Sequence, residues 1–579
     1  MTTDLRQQRT RAAAVARGFE RAFDRLFGVD GNPLRQLGGL AFDLFWLVCI
    51  TGAYVYIFYD TSADGAWQSV RSMAEHPLFG AGFARNLHRY ASDALVVVVG
   101  AHLLREWAYG RYRGFRWFTW LTGMATPWLI LAVGGVGFWL VWDTVALFVA
   151  TLITEWFGVL PGFDPALVRN FLVADAVSDR LFSLLMFLHI GVSLVLLLVM
   201  WLHVKRLTFA RTSAGRGVAL ATLAALSAAA LFVPAPLAAP ADPMQPAGTF
   251  PLDWFYLAPL AAIEATSPWV VWIAAVALTL LGSLAPWLTR RARARAPVAV
   301  VDPEHCNGCR FCFADCPYAA IEMAPHPSGR GEIAVVDPDR CASCGICAGA
   351  CPSSTPFRSG ERLITGIDLP DLSVHVLRAE LEQRLDEYAR RRSGAPSAGV
   401  ATAVRASAAA PAEVSVADRP AVAGPVAVAS ADGLAAPTDI ALEAPIVVFG
   451  CRHAAQAPTD DGLLVLPLPC AAMLPPSFIE YALRQGAAGV AVIACPGDDC
   501  EYRLGPRWVR QRFSREREPR LRHAVDRSRL CHVEAAAEDL ISLQAVLARF
   551  RHDLARDRVP GHEQATAAGS KVSLMEGES

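Results

Sequence analysis

The sequence predicts a multidomain protein with three folded parts: an α-helical membrane bundle, a small α+β module and a small α/β domain with a parallel sheet. Residues 40 to 289 are largely apolar, whereas residues 300 to 579 have the composition of a soluble protein. Eight of the 14 cysteines form two regular quartets after residue 300, four more lie between residues 451 and 500, and Cys49 and Cys531 are left over. A chain of 579 residues is long enough for several such domains.

Composition narrows the classes of function. The net charge of −1 gives no basic excess, so we expect no nucleic-acid partner. The first 37 residues contain seven arginines and no long apolar run, so we expect no export signal. Regular Cys-x-x-Cys spacing in such a chain favours metal clusters over disulfides.

Changes in composition predict the domain boundaries. The predicted parts are a cytoplasmic N-terminal segment (1–37), a transmembrane domain (38–290), a cysteine-quartet module (298–360), a helical extension (361–392), a flexible Ala/Pro-rich linker (393–440), a C-terminal domain (441–555) and a disordered tail (556–579). Within the first part, residues 12–27 have the apolar spacing of a surface helix, and a frayed basic tail is the alternative. The extension is interpreted as a packing helix.

Six stretches have the length of about 20 apolar residues that a membrane-spanning helix requires. They are Leu40–Tyr59, Tyr90–Trp107, Leu121–Ala150, Leu181–Leu202, Val218–Ala239 and Trp269–Leu288. Basic residues concentrate in the N-terminal segment, in the second and fourth connections and after the last span. The positive-inside rule therefore predicts a multi-pass inner-membrane protein whose soluble domains face the cytoplasm.

Two pairs of histidines share one spacing. His88 and His102 are 14 residues apart on the second span, and His189 and His203 are 14 apart on the fourth. Fourteen residues at about 100° each place both histidines of a pair on nearly the same helix face, about 21 Å apart along the axis. Two such helices offer two imidazole pairs at two depths, which predicts two haem groups. Isolated polar contacts are the alternative interpretation.

Glycines repeat the same spacing on the neighbouring spans. Gly38 and Gly52 are 14 residues apart on the first span, and Gly123 and Gly137 are 14 apart on the third. Glycine allows a flat ring to approach the backbone. Helix packing is the alternative role of such glycines.

These spans resemble a known family. The segments Arg85-Asn-Leu-His88, His102-Leu-Leu-Arg105 and Gly137-Phe-Trp-Leu-Val-Trp142 are similar to the cytochrome b of quinol-oxidising cytochrome bc complexes. The resemblance covers about residues 20 to 290 and implies a diheme cytochrome b-like bundle with two haem b groups. It places His88 and His189 on the outer haem and His102 and His203 on the inner haem, implies that Arg85 and Arg105 face haem propionates, and implies a homodimer.

The resemblance also extends to a loop before the last span. Asp253-Trp254-Phe255-Tyr256 resembles the family's Pro-Glu-Trp-Tyr loop, which lines the outer quinol site. The resemblance thus implies quinone as substrate, with Asp253, Trp254 and Tyr256 at the site. This chain has one inserted residue, and Asp253 stands where the family has Glu. An ordinary interfacial carboxylate is the alternative interpretation of Asp253.

The two cysteine quartets have the spacing of a two-cluster bacterial-type ferredoxin fold. Each follows the pattern Cys-x-x-Cys-x-x-Cys-x-x-x-Cys-Pro. In this pattern three close cysteines bind one [4Fe–4S] cluster and the fourth ligates the other cluster. Two [4Fe–4S] clusters are therefore predicted, one on Cys306, Cys309, Cys312 and Cys351 and one on Cys341, Cys344, Cys347 and Cys316. Structural zinc is the alternative, although zinc sites have a different spacing.

The C-terminal domain combines apolar strands with cysteines. Residues 446–449, 464–468 and 489–493 have the composition of buried strands, and the cysteines Cys451, Cys470 and Cys495 follow them, with Cys500 five residues later. The ends of parallel strands meet at one edge of a sheet, where such sheets place their sites. Four thiolates at one edge suit a [2Fe–2S] cluster. Four scattered buried cysteines are the alternative.

This domain also resembles a known family. The stretch from Cys495 to Gly505, with Cys470 and Cys451 before it, is similar to the delta (iron–sulfur) subunit of methyl-viologen-reducing hydrogenases over about residues 445–550. The resemblance implies a [2Fe–2S] protein that exchanges electrons with the flavin-bearing subunit of a heterodisulfide reductase. Ala454 stands where the family often has a further cysteine, and Cys531 is expected to be a plain thiol.

Together these observations predict a quinone-linked oxidoreductase subunit. Electrons from a cytoplasmic flavin and iron–sulfur protein of the heterodisulfide-reductase type are expected to enter at the C-terminal cluster, pass the two [4Fe–4S] clusters and reach the haems and quinone. One alternative is quinol oxidation with reverse electron flow to a low-potential cytoplasmic acceptor. Another is a haem-containing membrane anchor for a soluble redox complex.

Overall fold

A computed structural model describes residues 2–76, 80–162, 177–242, 253, 255–288, 297–329, 331–357, 365–393, 444–458, 460–497, 500–537 and 539–556. The chain divides into two units, Met1–Ala296 and Pro297–Ser579. Nearly all of the predicted linker (393–440) and of the predicted tail (556–579) lies outside the described residues.

The described part of the first unit is helical. Its α-helices are α1 (Thr2–Phe27), α2 (Leu37–Tyr56), α3 (Gly65–Ala74), α4 (Gly80–Ala108), α5 (Trp117–Val141), α6 (Thr144–Gly158), α7 (Asp179–Val204), α8 (Arg216–Phe232), α9 (Ala258–Ala265) and α10 (Pro268–Leu288). Helix α1 covers the segment predicted as a surface helix. It packs on the rest of the unit through Glu20, which is buried.

Among the described residues, four helices are long and apolar enough to cross a membrane: α2, α5, α7 and α10. They correspond to the first, third, fourth and sixth predicted spans. The second predicted span lies on α4, which has 29 residues and includes the charged residues Arg85, Arg89 and Asp93. The fifth lies on α8, whose 17 residues end at Phe232, before the predicted end at Ala239. A total of six spans remains a prediction.

The third predicted span, Leu121–Ala150, is not one continuous helix. Helix α5 ends at Val141, because Trp142 adopts a left-handed backbone conformation with φ of 50°. The next residue, Asp143, accepts a hydrogen bond from the backbone N–H of Ala146 at 2.9 Å and so caps the start of α6. The predicted end of this span at Ala150 was therefore wrong, because Asp143 is a helix start signal inside an apolar run.

The most extensive helix contacts in this unit join α2 to α4 and α5 to α7. Each pair combines a helix that contains the repeated glycines with a helix that contains the repeated histidines. Leu44, Leu95, Ile130 and Leu196, one from each of the four helices, belong to one buried apolar cluster. The two pairs therefore share a core, and their glycine and histidine faces lie within the bundle.

The second unit begins with an α+β module. Strand β1 (Val300–Val301) pairs antiparallel with β4 (Ile367–Asp368), and β2 (Ile321–Pro325) pairs antiparallel with β3 (Glu332–Val336). Two short helices, α11 (Phe311–Asp315) and α12 (Ile346–Ala350), start inside the two cysteine quartets. The pairing with β4 extends the module past the predicted boundary at residue 360, because the chain returns to close the sheet beside its own first strand.

The remainder of the second unit contains a four-stranded parallel sheet. Its strands are β5 (Ile446–Cys451), β6 (Leu463–Leu468), β7 (Gly489–Ala494) and β8 (Leu530–Glu534), in the order β6-β5-β7-β8. The helices of the described part are α13 (Val374–Ser393), α14 (Ser477–Arg484), α15 (Gly505–Phe513) and α16 (Leu540–Arg556). The C-terminal parallel sheet was predicted from the apolar runs, and β8 was not.

Helix α13 packs on this sheet. Arg384 donates a hydrogen bond to the backbone carbonyl of Val465 on β6 at 2.9 Å, and Tyr481 on α14 hydrogen-bonds Glu382. Leu377, Leu381 and Leu385 are buried at helical spacing along α13. The helix thus has the packing role that its apolar periodicity indicated.

Candidate redox centres

The first imidazole pair lies between α4 and α7. The ring centres of His88 and His189 are 6.3 Å apart, with an angle of 56° between their planes. Two imidazoles that each place a nitrogen about 2 Å from a shared metal ion hold their ring centres about 6 Å apart. The separation of these rings therefore fits an iron atom ligated from both sides, as in a haem with two histidine ligands.

Hydrogen bonds orient both rings of this pair. Nδ1 of His88 lies 3.0 Å from the carbonyl oxygen of Val48 and 3.2 Å from Oγ1 of Thr51. Nδ1 of His189 lies 3.0 Å from the carbonyl oxygen of Val133. A carbonyl partner places the proton on Nδ1 and leaves the lone pair of Nε2 for a metal. Both histidines are thus held in the tautomer that can ligate iron.

The second imidazole pair, His102 and His203, lies on the same two helices, 14 residues further along each. His102 lies close enough to His203 for the two imidazole rings to interact electrostatically. Nδ1 of His203 lies 3.2 Å from Oγ1 of Thr122, and the His203 ring also hydrogen-bonds the backbone of Thr119. The structure therefore brings together the residues of each predicted haem pair, and their role as ligands remains a proposal.

Each of the four repeated glycines faces one of the four histidines. A Cβ atom added to Gly52 would lie 2.9 Å from Cε1 of His88, and one added to Gly123 would lie 3.0 Å from Cε1 of His203. The corresponding distances are 3.1 Å from Gly137 to His189 and 3.4 Å from Gly38 to His102. The glycines therefore leave room for the imidazole rings themselves, a contact that the sequence reasoning assigned to the haem.

Two threonines in this arrangement were missed by the sequence reasoning. Thr51 and Thr122 directly precede Gly52 and Gly123, and each contacts the Nδ1 atom of a histidine. The repeated dipeptide Thr-Gly, once on each glycine helix, is the sequence signal that could have identified them. A hydroxyl beside Nδ1 can tune how strongly the other ring nitrogen binds a metal.

The two arginines assigned to haem propionates have different surroundings. Arg85 donates hydrogen bonds from both terminal nitrogens to the backbone carbonyls of Ala235 and Pro236, each at 2.9 Å. Arg105 donates from Nε to the buried Glu20 of α1 at 2.6 Å, whereas its buried Nη2 has no hydrogen-bond partner among the described residues. A buried donor of this kind fits an anionic acceptor such as a propionate.

The candidate quinone loop lies against α4. Asp253 forms an ion pair with Arg89 and accepts a hydrogen bond from the backbone N–H of Phe255 at 2.8 Å. The hydroxyl of Tyr256 donates to the carbonyl oxygen of Ser92 at 3.0 Å. Trp254 lies outside the described residues. The structure thus brings Asp253 and Tyr256 together on one side of α4, and Arg89 is a partner that sequence reasoning did not identify.

The first predicted [4Fe–4S] quartet surrounds a cavity. The lining includes the four predicted ligands, Cys306, Cys309, Cys312 and Cys351. Burial raises the pKa of the Cys312 thiol to about 12, because its thiolate form is poorly solvated there.

The second quartet has the same local geometry. Cys344 and Cys347 interact electrostatically with Cys341 and with Cys316. In the sequence, Cys316 is the fourth cysteine of the first run, and the prediction assigns it to this second cluster. Burial raises the pKa of both Cys344 and Cys347. The residues that precede α11 and α12, Arg310 and Gly345, both adopt positive φ, so the two quartets follow one backbone path. The fold is thus compatible with the prediction that the fourth cysteine of each run ligates the cluster of the other run.

The four cysteines of the C-terminal domain gather at one edge of the parallel sheet. The Sγ atoms of Cys451 and Cys495 are 3.5 Å apart. Cys500 contacts both Cys495 and Cys470 through their side chains. All four residues are at most 4% exposed. The alternative of four scattered thiols is therefore inconsistent with the structure, whereas the kind of cluster they bind remains a proposal.

A fifth cysteine of this domain, Cys531, lies within a strand of the sheet. Cys531 lies on β8 opposite Ala491, and burial raises the pKa of its thiol to about 11. Ala454, which stands where the delta-subunit family often has a cysteine, is buried directly beyond β5. These positions agree with a four-cysteine site that includes neither residue.

Comparison with known families follows the same order along the chain. The family model of cytochrome b/b6/petB matches residues 32–210, that of the 4Fe-4S dicluster domain matches 305–355, and that of the methyl-viologen-reducing hydrogenase delta subunit matches 446–556. These matches confirm the predicted fusion. The chain therefore joins a cytochrome b segment to a dicluster ferredoxin segment and a delta-subunit segment.

Curated relatives match the cytochrome b segment. Cytochrome b/c1 of Bradyrhizobium diazoefficiens is 30% identical over 160 residues, which are 27% of this chain and 23% of that protein. Cytochrome b6 of Bigelowiella natans is 28% identical over 157 residues, which are 26% of this chain and 73% of that protein. Cytochrome b of Rhodobacter capsulatus is 28% identical over 165 residues, or 28% of this chain and 37% of that protein.

The matched regions cover different shares of the similar proteins. The chain spans about a quarter of the length of the Bradyrhizobium relative. A solved structure described as a hyperthermophilic respiratory complex III is also similar: the match covers 44% of this chain and 75% of that chain, with 17% sequence identity and a TM-score of 0.37. The three family matches support membrane electron transfer.

Proposed function

We propose that this chain is the electron-transfer subunit of a membrane-bound, quinone-linked oxidoreductase. A cytoplasmic flavin and iron–sulfur protein similar to heterodisulfide reductase exchanges electrons with the delta-subunit segment. The cytochrome b segment exchanges them with quinone in the inner membrane, and the soluble segments face the cytoplasm. The observation that carries the proposal is the presence, in one polypeptide, of two gathered imidazole pairs and three gathered thiol quartets.

The proposal assigns a cofactor to each set of donors. The imidazole pairs hold two haem b groups, the ferredoxin quartets hold two [4Fe–4S] clusters, and Cys451, Cys470, Cys495 and Cys500 hold one [2Fe–2S] cluster. These groups supply reversible one-electron chemistry when bound. The protein ligates them, keeps water away from the buried thiols and fixes the orientation of the imidazoles through backbone carbonyls.

The loop at Asp253, Trp254 and Tyr256 is the proposed quinone site. Quinone reduction takes up protons as well as electrons, and Asp253 is the carboxyl group of this loop. Its ion pair with Arg89 and the contact of Tyr256 with Ser92 attach the loop to the helix of His88, one of the proposed haem ligands. A homodimer, as implied by the cytochrome b resemblance, is part of the proposal.

A stopped-flow experiment tests the function. The full chain in detergent is reduced by a low-potential flavoprotein, and cluster and haem absorbance are recorded with and without a quinone analogue. We expect haem reduction followed by reoxidation when quinone is added. Cys500→Ser should abolish haem reduction, whereas Cys531→Ser, outside the quartet, should not change it.

Two outcomes would replace the proposal with an alternative. Clusters that reduce while the haems stay oxidised would indicate a membrane anchor with structural haems. Haems that accept electrons only from quinol, and then reduce the clusters under an imposed membrane potential, would indicate reverse flow to a low-potential cytoplasmic acceptor. Such flow is energetically accessible, because moving one charge across the membrane yields about 2.3 kcal/mol per 100 mV.

A further inference from the structure

Within the second unit, the delta-subunit segment packs on the ferredoxin segment beside one quartet. A Cβ atom added to Gly345, which directly follows Cys344, would lie 2.7 Å from Sδ of Met473. Met473 follows Cys470 by three residues. The backbone next to a second-quartet cysteine therefore contacts the short turn that follows a C-terminal cysteine.

Further contacts surround the same quartet. The indole N–H of Trp508 on α15 donates to the carbonyl oxygen of Asp315 at 3.0 Å, directly before Cys316. The hydroxyl of Tyr318 donates to the carbonyl oxygen of Glu501 at 3.2 Å, directly after Cys500. These hydrogen bonds join residues adjacent to cysteines of both sites. The two thiol sites are thus connected through backbone groups next to their own ligands.

Arg512 lies buried in this contact, with 1% of its side chain exposed. Its Nη1 donates to the carbonyl oxygen of Ala472 at 2.7 Å, and its Nη2 donates to Asp315 at 2.5 Å. A Cβ atom added to Gly349 would lie 2.9 Å from Nη1. The guanidinium therefore bridges the turn after Cys470 and the residue before Cys316.

One donor of this guanidinium has no hydrogen-bond partner among the described residues. Nε of Arg512 is buried and makes no hydrogen bond within the described part of the chain. Buried N–H donors are almost always paired. The sulfur atoms of an iron–sulfur cluster accept hydrogen bonds, and such bonds shift the cluster's reduction potential. The unpartnered donor therefore points to a cluster as its acceptor.

The first quartet has no such contact in its cavity lining. The residues that line this cavity all lie between His305 and Ile367, within the ferredoxin segment. Arg310, on the same lining, is 61% exposed and pairs with Glu332, also of this segment. The cavity of the first quartet is therefore lined by the ferredoxin segment, whereas backbone groups directly beside Cys344 and Cys316 of the second quartet contact the delta-subunit segment.

We propose that the second quartet (Cys341, Cys344, Cys347 and Cys316), rather than the first, exchanges electrons directly with the C-terminal centre, and that Arg512 is the positioning residue that fixes their separation. This inference rests on the function proposed above, because it takes all three quartets as cluster sites. In each transfer the C-terminal centre loses one electron and the second-quartet cluster gains it, without bond formation or proton transfer. The electron is supplied by a low-potential flavoprotein.

Electron paramagnetic resonance of the full, cluster-loaded chain tests the proposal without quinone. Two neighbouring reduced clusters broaden each other's signals, and the broadening falls steeply with distance. We expect Cys344→Ala to remove the broadening of the C-terminal centre's signal and the matched variant Cys309→Ala to retain it. The reverse result, or equal effects of the two variants, would overturn the proposed order.

A second pair of variants tests Arg512. Arg512→Lys keeps the charge but shortens the donor group, so we expect loss of broadening and a shifted midpoint potential of the C-terminal centre. Arg510→Lys, an exposed substitution on the same helix, should leave both unchanged. Unchanged broadening and potential in a folded Arg512→Lys protein would refute its role. If that variant does not fold, the cysteine pair decides the order alone.

These results are distinguishable from failure of the proposed function. Absence of cluster signals from the unaltered chain would overturn the cofactor assignment and this inference with it. Normal cluster coupling in a chain whose haems do not react with quinone would instead support the order and refute only the quinone linkage.

Discussion

The space between each glycine and its histidine differs from site to site, so alanine substitutions of these glycines should differ in their effect on haem binding. At Gly52 a new Cβ atom would lie 2.9 Å from the His88 ring, closer than real Cβ atoms approach, so the ring must move. At Gly38 the corresponding distance to His102 is 3.4 Å, an ordinary contact. The two substitutions therefore differ in steric cost, and Gly52 lies in the interior of α2 whereas Gly38 lies in its first turn.

The expected magnitudes follow from two opposing terms. Alanine stabilises a helix interior by about 0.5–1 kcal/mol relative to glycine. Overpacking a filled site costs about 1–3 kcal/mol. Gly52→Ala should therefore destabilise the haem-bound bundle by about 1–2 kcal/mol, which corresponds to roughly tenfold weaker haem retention. Gly38→Ala should be close to neutral, because its new Cβ makes only an ordinary contact and the helix term is small in the first turn.

Haem content per protein and optical redox titration measure the result. We expect Gly52→Ala to lose or shift the haem of the His88 pair and to leave the other haem unchanged. Gly191→Ala is the matched control, since this glycine lies two residues after His189 and a Cβ there would have no neighbour within 4 Å. The control should retain both haems.

Equal haem loss from Gly38→Ala and Gly52→Ala would refute this reasoning. That result would mean that the glycines make room for the haem ring, as the sequence alone suggested, and that the imidazole contacts do not set the tolerance. Full haem retention in Gly52→Ala would show that the His88 ring can move despite its hydrogen bond to Val48.

Three further predictions concern other contacts. Thr122→Val removes the hydroxyl 3.2 Å from Nδ1 of His203, so the midpoint potential of one haem should shift in a redox titration while the other stays constant. Arg89→Gln leaves the carboxylate of Asp253 without its ion-pair partner, so the melting temperature in detergent should fall by an amount corresponding to about 1–3 kcal/mol. Burial raises the pKa of Asp368 to about 6 from 3.8, so the folded state binds this proton more tightly than the unfolded state does. The free energy of unfolding should therefore fall as pH rises from about 4 to about 6, by up to about 3 kcal/mol, and Asp368→Asn should flatten this dependence in melts at several pH values.

The periodic features of the sequence predicted the positions of the proposed sites. The spacing of 14 residues between His88 and His102 defines one face of a helix, whatever the rest of the fold. The cysteines at the C-terminal ends of β5, β6 and β7 gather because parallel strands end at one edge of a sheet. In both cases the local repeat of the secondary structure determines which side chains meet.

Features that depend on distant contacts were not predictable in this way. Arg512 and Asp315 are 197 residues apart, and their pairing follows from the packing of one segment on another. The hydrogen bond of Thr122 to His203 likewise requires that α5 and α7 lie side by side. The helix break at Trp142 was missed because a single Asp in an apolar run is a weak local signal.

The arrangement of the C-terminal cysteines has a consequence for how the protein is made. Three of the four cysteines in each ferredoxin quartet lie within seven consecutive residues, so most of each binding set exists in a short peptide. Cys451 and Cys500 are separated by two strands and a helix, and their thiols meet only when β5 and β7 are paired in the sheet. Metal binding to such a site adds to the stability of a fold that must form first. During biosynthesis, insertion of this cluster should therefore be among the last maturation steps, and a chain truncated before β7 should emerge without it.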